Sequence, residues 1–243
     1  MNAVSGGKRD RRVLLKLSGE ALMGNAGHGI DVATVARFAS DIAAARQDGV
    51  EIAIVVGGGN IFRGLAASAS GLDRTTADSM GMLATVMNAL ALAGALNDAG
   101  CPAVAMSAIP MDTVCEPYAR RRAVAHLAAG TVVVFAGGTG NPYFTTDTAA
   151  VLRAAETDCD AVYKATQVDG IYSADPKKVP DATRFDRITH DEVIARGLNV
   201  MDTAAIALAR ENNIPIIVYS IHEKGGFGEI LTGNGRCTVV SDS

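Results

Sequence analysis

Short apolar runs alternate along the chain with longer segments in which apolar residues recur at helical spacing. The run at 13–17 is apolar except for Lys16 and stops at a serine and a glycine, a pattern typical of a buried strand. Residues 35–45 follow helical spacing after Asp31, which suits a helix N-cap, and a second strand-like run at 50–56 stops at three glycines. The same patterns predict further strands at 103–106, 131–135, 161–164, 214–219 and 237–240, the last at a sheet edge, and helices at 76–99, 124–129, 146–156, 190–196 and 202–212.

This alternation of strands and helices predicts an α/β fold with a mostly parallel sheet that is covered on both faces. Residues 166–188 contain Gly170, Pro176 and Pro180, and we interpret them as a hairpin and loop. Because no change in composition marks a linker, we expect a single domain at 11–243, with room for a cleft within it. Residues 1–10 are polar and basic and are interpreted as a flexible tail.

The composition excludes several classes of protein. Of the 243 residues 49% are hydrophobic, which permits a substantial core, and a net charge of −4 gives no reason to expect nucleic-acid binding. The tight cluster Arg120, Arg121 and Arg122 is interpreted as a solvated helix start.

No run reaches the roughly 18 uninterrupted apolar residues of a membrane helix, so we expect no membrane contact. The cysteines form no C-x-x-C pair, so we expect no metal site, and free thiols without an export signal predict a cytoplasmic protein.

The residues with special chemistry follow the predicted strands. In an open parallel sheet, ligands bind outside the carboxyl ends of the strands. Glycines at such turns allow the backbone to approach a ligand and to aim N–H groups at an anion. A single glycine run is usually only a tight turn, but two runs beside two lysines indicate a phosphate site. The clusters are Lys16, Ser18 and Gly19 after the first strand, 57–59 after the second, 137–140 after the fourth, and Lys164 to Thr166 at the end of the fifth.

Two lysines lie within apolar strands, where a charged side chain is unusual and calls for an explanation. Lys16 stands between two leucines, and Lys164 follows a tyrosine. Because an unpaired buried ammonium is costly, each lysine either reaches solvent at its strand end or reaches the oxygens of a triphosphate. In the second case they would stabilise the charge of a phosphoryl group in transfer. Asp147 would hold them apart and orient them, although an Asp in the first turn of a helix also favours the helix dipole.

Other phosphate-binding motifs do not occur in the chain. It contains no G-x-x-x-x-G-K-[ST] of a P-loop and no G-x-G-x-x-G after the first strand, so those two classes are disfavoured. The four histidines are isolated from one another and are interpreted as surface or structural residues. The sequence therefore indicates a phosphate site that is built on lysines and glycine turns.

Seven blocks of sequence carry a family resemblance. They are K-L-S-G-E-A-L (16–22), G-G-G-N-I-F-R-G (57–64), M-G-M-L-A-T-V-M-N (80–88), G-T-G-N-P-Y-F-T-T-D (138–147), K-A-T-Q-V-D-G (164–170), S-A-D-P (173–176) and N-V-M-D (199–202). Together they resemble the bacterial UMP kinase branch of the amino-acid kinase family, and they occur in the expected order across nearly the whole chain. The glycine triplet and the first strand are shared by the wider family, whereas the blocks at 57–64 and 138–147 are specific to the UMP kinase branch.

This resemblance implies an αβα sandwich of the amino-acid kinase (carbamate kinase-like) type, with a UMP-binding part and an ATP-binding part around one cleft. It implies the reaction ATP + UMP → ADP + UDP in pyrimidine nucleotide biosynthesis, by direct in-line transfer. Mg²⁺ would be carried mainly on the nucleotide phosphates, with ATP as co-substrate. It also implies a homohexamer, with GTP and UTP as possible effectors.

The resemblance also implies site residues. The catalytic set would be Lys16, Arg63, Asp147 and Lys164. ATP would lie against Lys16, Leu17, Ser18, Gly19, Gly59, Arg63, Thr166, Tyr172 and Asp175. UMP would lie against Gly58, Asp78, Thr139, Gly140, Asn141, Pro142, Tyr143, Phe144, Thr145 and Thr146, with the Asp78 carboxylate on the ribose hydroxyls. The segment associated with GTP activation would be Gly24, Asn25, Ala26, Gly27, His28 and Gly29.

Two alternatives remain open, and one position departs from the family pattern. A kinase of the same family could act on a carboxylate or carbamate, but Arg63, Asp78 and the two threonines at 145–146 favour a nucleotide acceptor. A non-catalytic nucleotide sensor on the same fold would not need both lysines and Asp147. Gln167 stands where relatives often have Lys, so no role is assigned to that side chain.

Overall fold

A nine-stranded, mostly parallel sheet forms the centre of the described part of the protein. The computed structural model describes residues 11–46, 49–63, 71–176, 178–179, 181–222 and 226–242. The strands are β1 (Arg12–Leu17), β2 (Glu51–Val56), β3 (Ala103–Ser107), β4 (Glu116–Pro117), β5 (Val132–Ala136), β6 (Ala161–Thr166), β7 (Ile171–Tyr172), β8 (Arg184–Phe185), β9 (Arg187–Ile188), β10 (Ile216–Ser220) and β11 (Cys237–Val240).

The strand order of the central sheet is β4-β3-β5-β2-β1-β6-β10-β11-β9. All neighbours pair in parallel except β10 and β11, which are antiparallel. Strands β7 and β8 form a separate antiparallel ribbon, as expected for a hairpin in the 166–188 segment. The prediction that 237–240 is an edge strand is wrong, because β9 pairs with the outer side of β11. A two-residue strand such as β9 is too short to produce a hydrophobic pattern.

Helices cover both faces of the sheet. Buried residues of α1, α2 and α7 pack on one face, and buried residues of α3, α4, α5 and α6 pack on the other. The predicted α/β sandwich is therefore confirmed. The helices are α1 (Val32–Arg46), α2 (Arg74–Asp98), α3 (Arg120–Ala128), α4 (Thr146–Glu156), α5 (His190–Ala195), α6 (Thr203–Glu211) and α7 (Gly226–Leu231), with a 3₁₀ turn at Gly19–Leu22.

Strand β1 shows why its sequence pattern is nearly all apolar. Side chains alternate between the two faces of a strand, and here both faces are covered by helices. Leu15 and Leu17 belong to the core under α1 and α2, whereas Leu14 belongs to the core on the opposite face. Lys16 has the same parity as Leu14 and therefore faces the side of the sheet on which α4 lies.

Helix α2 is the longest helix among the described residues. By length and composition alone it could cross a membrane, but 44% of its most apolar window is buried inside the protein. Ala89, Leu92 and Leu96 are completely buried in the core beside the sheet, which is typical of a core helix. The Asp73 carboxylate caps the helix by accepting a hydrogen bond from the Thr76 N–H.

Most predicted elements agree with the structure to within a few residues. Helix α3 begins at Arg120, four residues before the predicted start, so the arginine cluster does form a helix start. Strand β4 and helix α7 were not predicted, because their short sequences show no clear periodicity. A single domain at 11–243 remains a prediction, and the proposed tail at 1–10 lies outside the described residues.

Candidate active site

Four strand ends meet at one edge of the sheet. Strands β2, β1 and β6 are neighbours and run parallel, and β5 pairs in parallel with β2 on its other side. Their carboxyl ends therefore lie side by side, as the sequence predicts, and the glycine turns and lysines that follow them converge on one region.

Lys16 and Lys164 are paired in register on neighbouring strands β1 and β6. Asp147, in the first turn of α4, lies between them. Its Oδ1 is 2.7 Å from the Lys16 Nζ, and its Oδ2 accepts a hydrogen bond of 2.9 Å from the Lys164 Nζ. The Lys164 Nζ also donates to the carbonyl of Val200. The predicted arrangement, in which a carboxylate holds two lysines apart, is therefore present in the structure.

The start of α4 fixes the position of the carboxylate. Thr145 is the N-cap of the helix, and its hydroxyl oxygen accepts a hydrogen bond of 3.0 Å from the Asp147 N–H. The Thr145 hydroxyl in turn donates to the carboxylate of Asp202, the N-cap of α6. Asp147 is thus held on the backbone side by a cap and on the carboxylate side by two ammonium groups.

The pKa values of Asp147 and Lys164 are both shifted from their usual values. Burial raises the pKa of Asp147, but the Lys16 and Lys164 ammonium groups lower it by more, so the pKa of the carboxyl lies below its usual range. Burial, followed by repulsion from Lys16, lowers the pKa of Lys164, and the Asp147 carboxylate opposes that shift. The cluster carries one net positive charge when all three groups are ionised, which suits an anionic ligand.

The two glycine turns pack directly against each other. A Cβ on Gly19 would lie 2.6 Å from the Gly57 carbonyl oxygen and 2.5 Å from Oδ1 of Asn60. A Cβ on Gly58 would lie 2.8 Å from the carbonyl oxygen of Gly81 in α2. Glycine is required at 19 and 58 because backbone approaches these turns closely. Leu17 and Ser18 connect β1 to the first turn.

Arg63 lies beyond the second turn. Its guanidinium is 2.6 Å from the Glu20 carboxylate, and Nε donates a 3.4 Å hydrogen bond to the carbonyl of Gly59. The side chain is 62% exposed, so it is held at the turn while its fork remains accessible to a phosphate. Gly64, the last residue of the glycine-rich block, lies outside the described residues.

The loop at 138–146 faces the start of α2. The Tyr143 N–H donates a 2.8 Å hydrogen bond to the Asp78 carboxylate, and Arg74 donates to both oxygens of the same group. Tyr143 has a left-handed backbone with φ of 71°, and its ring stacks with the Arg74 guanidinium. Asp78 therefore connects the loop to the start of α2. Exposed or half-exposed loop residues are Thr139, Gly140, Asn141, Pro142, Phe144, Thr145 and Thr146.

A cavity of about 500 Å³ lies beyond the end of β6. Thr166, Tyr172 and Asp175, which the resemblance assigns to adenosine, line one side of it. The other side was not predicted in detail: it is formed by the loop between α5 and α6, although the N-V-M-D block at 199–202 marks part of it. The additional lining residues are Val168, Gly170, Ile171, Ser173, Ala174, Pro176, Arg196, Gly197, Leu198, Asn199, Val200 and Val218.

Helix α2 contributes three polar residues that sequence reasoning left without a role. Arg74 holds Asp78, as described above. The Thr85 hydroxyl oxygen accepts a 2.8 Å hydrogen bond from the Gly137 N–H, and the Asn88 amide donates to the carbonyl of Gly57. Thr85 and Asn88 lie in the M-G-M-L-A-T-V-M-N block, which was a signal for them. Helix α2 therefore braces the glycine turns that follow β2 and β5.

The 24–29 segment, which the resemblance associates with GTP activation, is hydrogen-bonded to Asn60, the residue after the glycine turn at 57–59. Gly29 exchanges two hydrogen bonds with Asn60: its N–H donates to the Asn60 carbonyl, and its own carbonyl accepts from the Asn60 amide. Gly24 and Gly27 also have positive φ. Asn25, Ala26 and His28 are exposed.

Gln167, the departure from the family pattern, accepts or donates a 2.9 Å hydrogen bond with His222.

The amino acid kinase family profile matches residues 11–220 of the chain. The chain belongs to the amino acid kinase family. Within the family, the uridylate kinase of Mesorhizobium japonicum is 67% identical over 232 residues, which cover 96% of this chain and 97% of that relative. The uridylate kinase of Brucella anthropi is 64% identical over 240 residues, or 99% and 100% of the two chains.

A solved structure of the amino acid kinase family shows the same fold. The UMP kinase from Bacillus anthracis superposes with a TM-score of 0.93 at 39% identity, over 97% of this chain and 98% of that chain. The family resemblance that the sequence blocks indicate is therefore confirmed, and the matched range includes the complete Lys16–Asp147–Lys164 cluster.

Proposed function

We propose that this protein transfers the γ-phosphoryl group of ATP to UMP and so produces UDP in pyrimidine nucleotide biosynthesis. The observation that carries the proposal is the cluster of Lys16, Asp147 and Lys164 at the meeting point of two glycine turns. UMP is chosen as the acceptor because relatives that are 64–67% identical over nearly the full length are named uridylate kinases.

The two ammonium groups would stabilise the charge on the phosphoryl group in transfer. Phosphoryl transfer depends mainly on positioning and on charge stabilisation, which two lysines can supply. Oδ1 of Asp147 is buried and lacks a well-aligned hydrogen bond within the described residues, although the Lys16 Nζ is only 2.7 Å away. The Lys16 ammonium group has three N–H donors, so it can also donate to a phosphate oxygen while it stays beside the carboxylate.

The reaction needs no protein base. The acceptor is a phosphate monoester, which is already anionic at neutral pH, so its oxygen can attack the γ-phosphorus in line. Arg63 would bind the two phosphates where they meet, since its planar fork suits an oxyanion. In the described ranges, no histidine hydrogen-bonds to Lys16, Asp147 or Lys164, which agrees with this mechanism.

Mg²⁺ fits this site only as an ion carried by the nucleotides. Both oxygens of Asp147 face ammonium groups, and no cluster of three acidic, His or Cys side chains is placed to hold a metal within the described residues. When bound to the phosphates, Mg²⁺ would neutralise part of their charge. Lys16 and Lys164 would contact phosphate oxygens directly.

A coupled assay with a panel of acceptors tests the proposal. ADP release is measured with UMP, CMP, carbamate and N-acetylglutamate at saturating ATP and Mg²⁺. We expect turnover with UMP. Turnover only with carbamate or N-acetylglutamate would assign the chain to another substrate class, and tight binding of ATP and UMP without ADP release would make it a nucleotide sensor.

The stereochemistry at phosphorus tests direct transfer. ATP with a chiral γ-thiophosphate transfers its group with inversion when the acceptor attacks directly. A covalent phosphoenzyme would require two displacements and would give retention. We expect inversion, and retention would contradict the in-line mechanism proposed here.

We also propose that the protein assembles as a homohexamer. An exposed apolar stripe on α2 supports self-association, because large apolar side chains at helical spacing rarely remain uncovered. Sedimentation analysis should give a mass six times that of the 25.0 kDa chain, and a monomer would contradict the proposal. The stripe consists of Met80, Leu83, Met87 and Leu90, which are 41%, 49%, 54% and 37% exposed.

Regulation and location complete the proposal. GTP and UTP are proposed as effectors, with GTP acting near the 24–29 segment, since Asn60 connects that segment to the glycine turn. Adding each nucleotide to the UMP assay tests this, and rates unchanged by both would exclude it.

We propose a cytoplasmic location, which the four free cysteines support, and fluorescent tagging of the full chain tests it.

A further inference from the structure

Asn60 and Asn88 form a buried pair of amides beneath the second glycine turn. Asn88 is completely buried on α2, and Asn60 is 4% exposed. The Asn88 Nδ2 donates a 2.7 Å hydrogen bond to Asn60 Oδ1, and the Asn60 Nδ2 donates a 3.0 Å bond back to Asn88 Oδ1. Burying an amide costs free energy unless the amide is hydrogen-bonded, so an apolar residue such as leucine would suit position 88 better if packing were its only role. The pair of amides therefore has a role besides packing.

The neighbours of the pair fix the orientation of both amides. The Gly57 carbonyl accepts a 2.7 Å hydrogen bond from the Asn88 Nδ2, and the Gly29 carbonyl accepts one of the same length from the Asn60 Nδ2. Carbonyl oxygens only accept hydrogen bonds, so each NH₂ group must face its carbonyl. The NH₂ group of Asn88 therefore holds the Gly57 carbonyl toward α2.

Holding this carbonyl also sets the direction of the next N–H group. In a trans peptide the C=O of one residue and the N–H of the next point in opposite directions. Because the Gly57 oxygen points toward Asn88, the Gly58 N–H points away from it. Among the described residues, none accepts a hydrogen bond from the N–H of Gly58 or Gly59.

We propose that Asn88 is a positioning residue for phosphoryl transfer: by holding the Gly57 carbonyl, it aims the Gly58 N–H at an oxygen of the nucleotide phosphates. Preformed backbone donors at the position where charge develops are among the strongest contributions to catalysis. Asn60 supports Asn88 from the other side and fills the space below Gly19, where a Cβ would lie 2.5 Å from its Oδ1. This inference rests on the proposed kinase function.

The substitution Asn88→Asp removes the NH₂ group that bonds to the Gly57 carbonyl and to Asn60 Oδ1. Aspartate has the same shape as asparagine and can still accept from the Asn60 Nδ2, but it cannot donate to the Gly57 carbonyl. We expect kcat/KM for UMP to fall about 100-fold, near the loss seen when one oxyanion donor is removed. We expect KM for ATP to change less than kcat/KM for UMP, because the proposed adenosine cavity beyond β6 is not touched.

Two further variants keep the test valid if the buried aspartate prevents folding. Asn88→Ala removes the donor without burying a charge, and Asn60→Ala removes the neighbour but leaves the bond from Asn88 to Gly57. We expect Asn88→Ala to lower kcat/KM for UMP more than Asn60→Ala, at equal amounts of folded protein. The matched control is Asn97→Ala on the same helix, whose side-chain amide bonds, among the described residues, to Ala93 and Ala103 alone.

The outcomes separate this inference from the proposed function. If wild type phosphorylates UMP and both Asn88 variants keep kcat/KM within about twofold while only their melting temperatures fall, Asn88 is structural and the inference is wrong. The inference is equally wrong if Asn97→Ala lowers kcat/KM as much as Asn88→Ala. If wild type itself does not turn over UMP, the proposed function fails instead.

Discussion

Lys16 and Lys164 stand opposite each other in the register of two parallel strands, with their side chains on the same face of the sheet. Neighbouring parallel strands lie only about 4.8 Å apart, so the two ammonium groups would repel each other without a counter-ion. Asp147 supplies that counter-ion from the start of α4. The relationship determines both the chemistry of the cluster and its expected response to substitution.

Removing one lysine charge should greatly lower turnover without unfolding the protein. Lys16→Met keeps much of the side-chain length and leaves a neutral pair of Asp147 and Lys164. We expect kcat to fall by two orders of magnitude or more, since charge stabilisation dominates this reaction, roughly as for other lost transition-state donors. Steady-state kinetics with UMP and thermal unfolding measure the two effects. Near-normal turnover in the folded variant would refute the lysine mechanism.

Removing the carboxylate should have a larger effect on stability than removing a lysine. Asp147→Asn leaves two buried ammonium groups without a counter-ion, and breaking a buried ion pair from one side costs about 3–5 kcal/mol. Urea unfolding should therefore show Asp147→Asn to be less stable than Lys16→Met. Because the folded pKa of Asp147 lies below its usual 3.8, this contribution is present above pH 3.8 and is lost as pH falls through the folded pKa. The opposite order of stability would argue against the cluster as described.

Activity should decline on the alkaline side before the protein unfolds. The folded pKa of Lys164 lies below its usual 10.5, so Lys164 loses its proton in the folded enzyme before it would in the unfolded chain. Its burial therefore costs stability at neutral pH, and this cost is relieved as pH rises through the folded pKa toward 10.5. We expect kcat to fall over that interval while the free energy of unfolding contributed by Lys164 rises. A kcat that declines only together with unfolding would contradict this assignment.

Both the positive charge and the planar guanidinium group of Arg63 should contribute to kcat/KM for UMP. Hydrogen bonds to charged groups contribute about 1.5–3 kcal/mol, so Arg63→Ala should lower kcat/KM for UMP by roughly 10- to 100-fold. Arg63→Lys keeps the charge but loses the planar fork, and it should give an intermediate value. The control is Arg121→Ala, at an exposed position on α3. Equal activity of Arg63→Ala and this control would remove Arg63 from the site.

A methyl group on Gly58 should displace the second turn from α2. The Cβ would lie 2.8 Å from the Gly81 oxygen and 2.9 Å from the Ala84 Cβ, so backbone must move. Since misplacement by about 1 Å can cost 100-fold in rate, we expect kcat/KM for UMP to fall roughly tenfold or more in Gly58→Ala. Gly228→Ala is the matched control, because its Cβ would meet no atom within 4 Å. Comparable kinetics in the two variants would show that the turn tolerates the displacement.

Local patterns predicted the parts of the fold that depend on neighbouring residues. The helix at 146–156 and the strand around Lys16 agree with the sequence because helical and strand periodicity are properties of short segments. The edge position of β11 was wrong, because its outer partner β9 contains only two residues. Pairing across the sheet depends on contacts between segments that are distant in sequence, which no local pattern reports.

The amino-acid sequence is sufficient to predict two lysines near the ends of parallel strands, glycine turns after neighbouring strands, and a resemblance to the amino-acid kinases. The three-dimensional packing establishes which atoms meet: Oδ1 and Oδ2 of Asp147 are divided between Lys16 and Lys164, and the Asn88 amide is bonded to the Gly57 carbonyl. The reason is physical. Burial preferences are encoded residue by residue, whereas strand register and helix placement, which bring these atoms within 3 Å, result from packing of the whole chain.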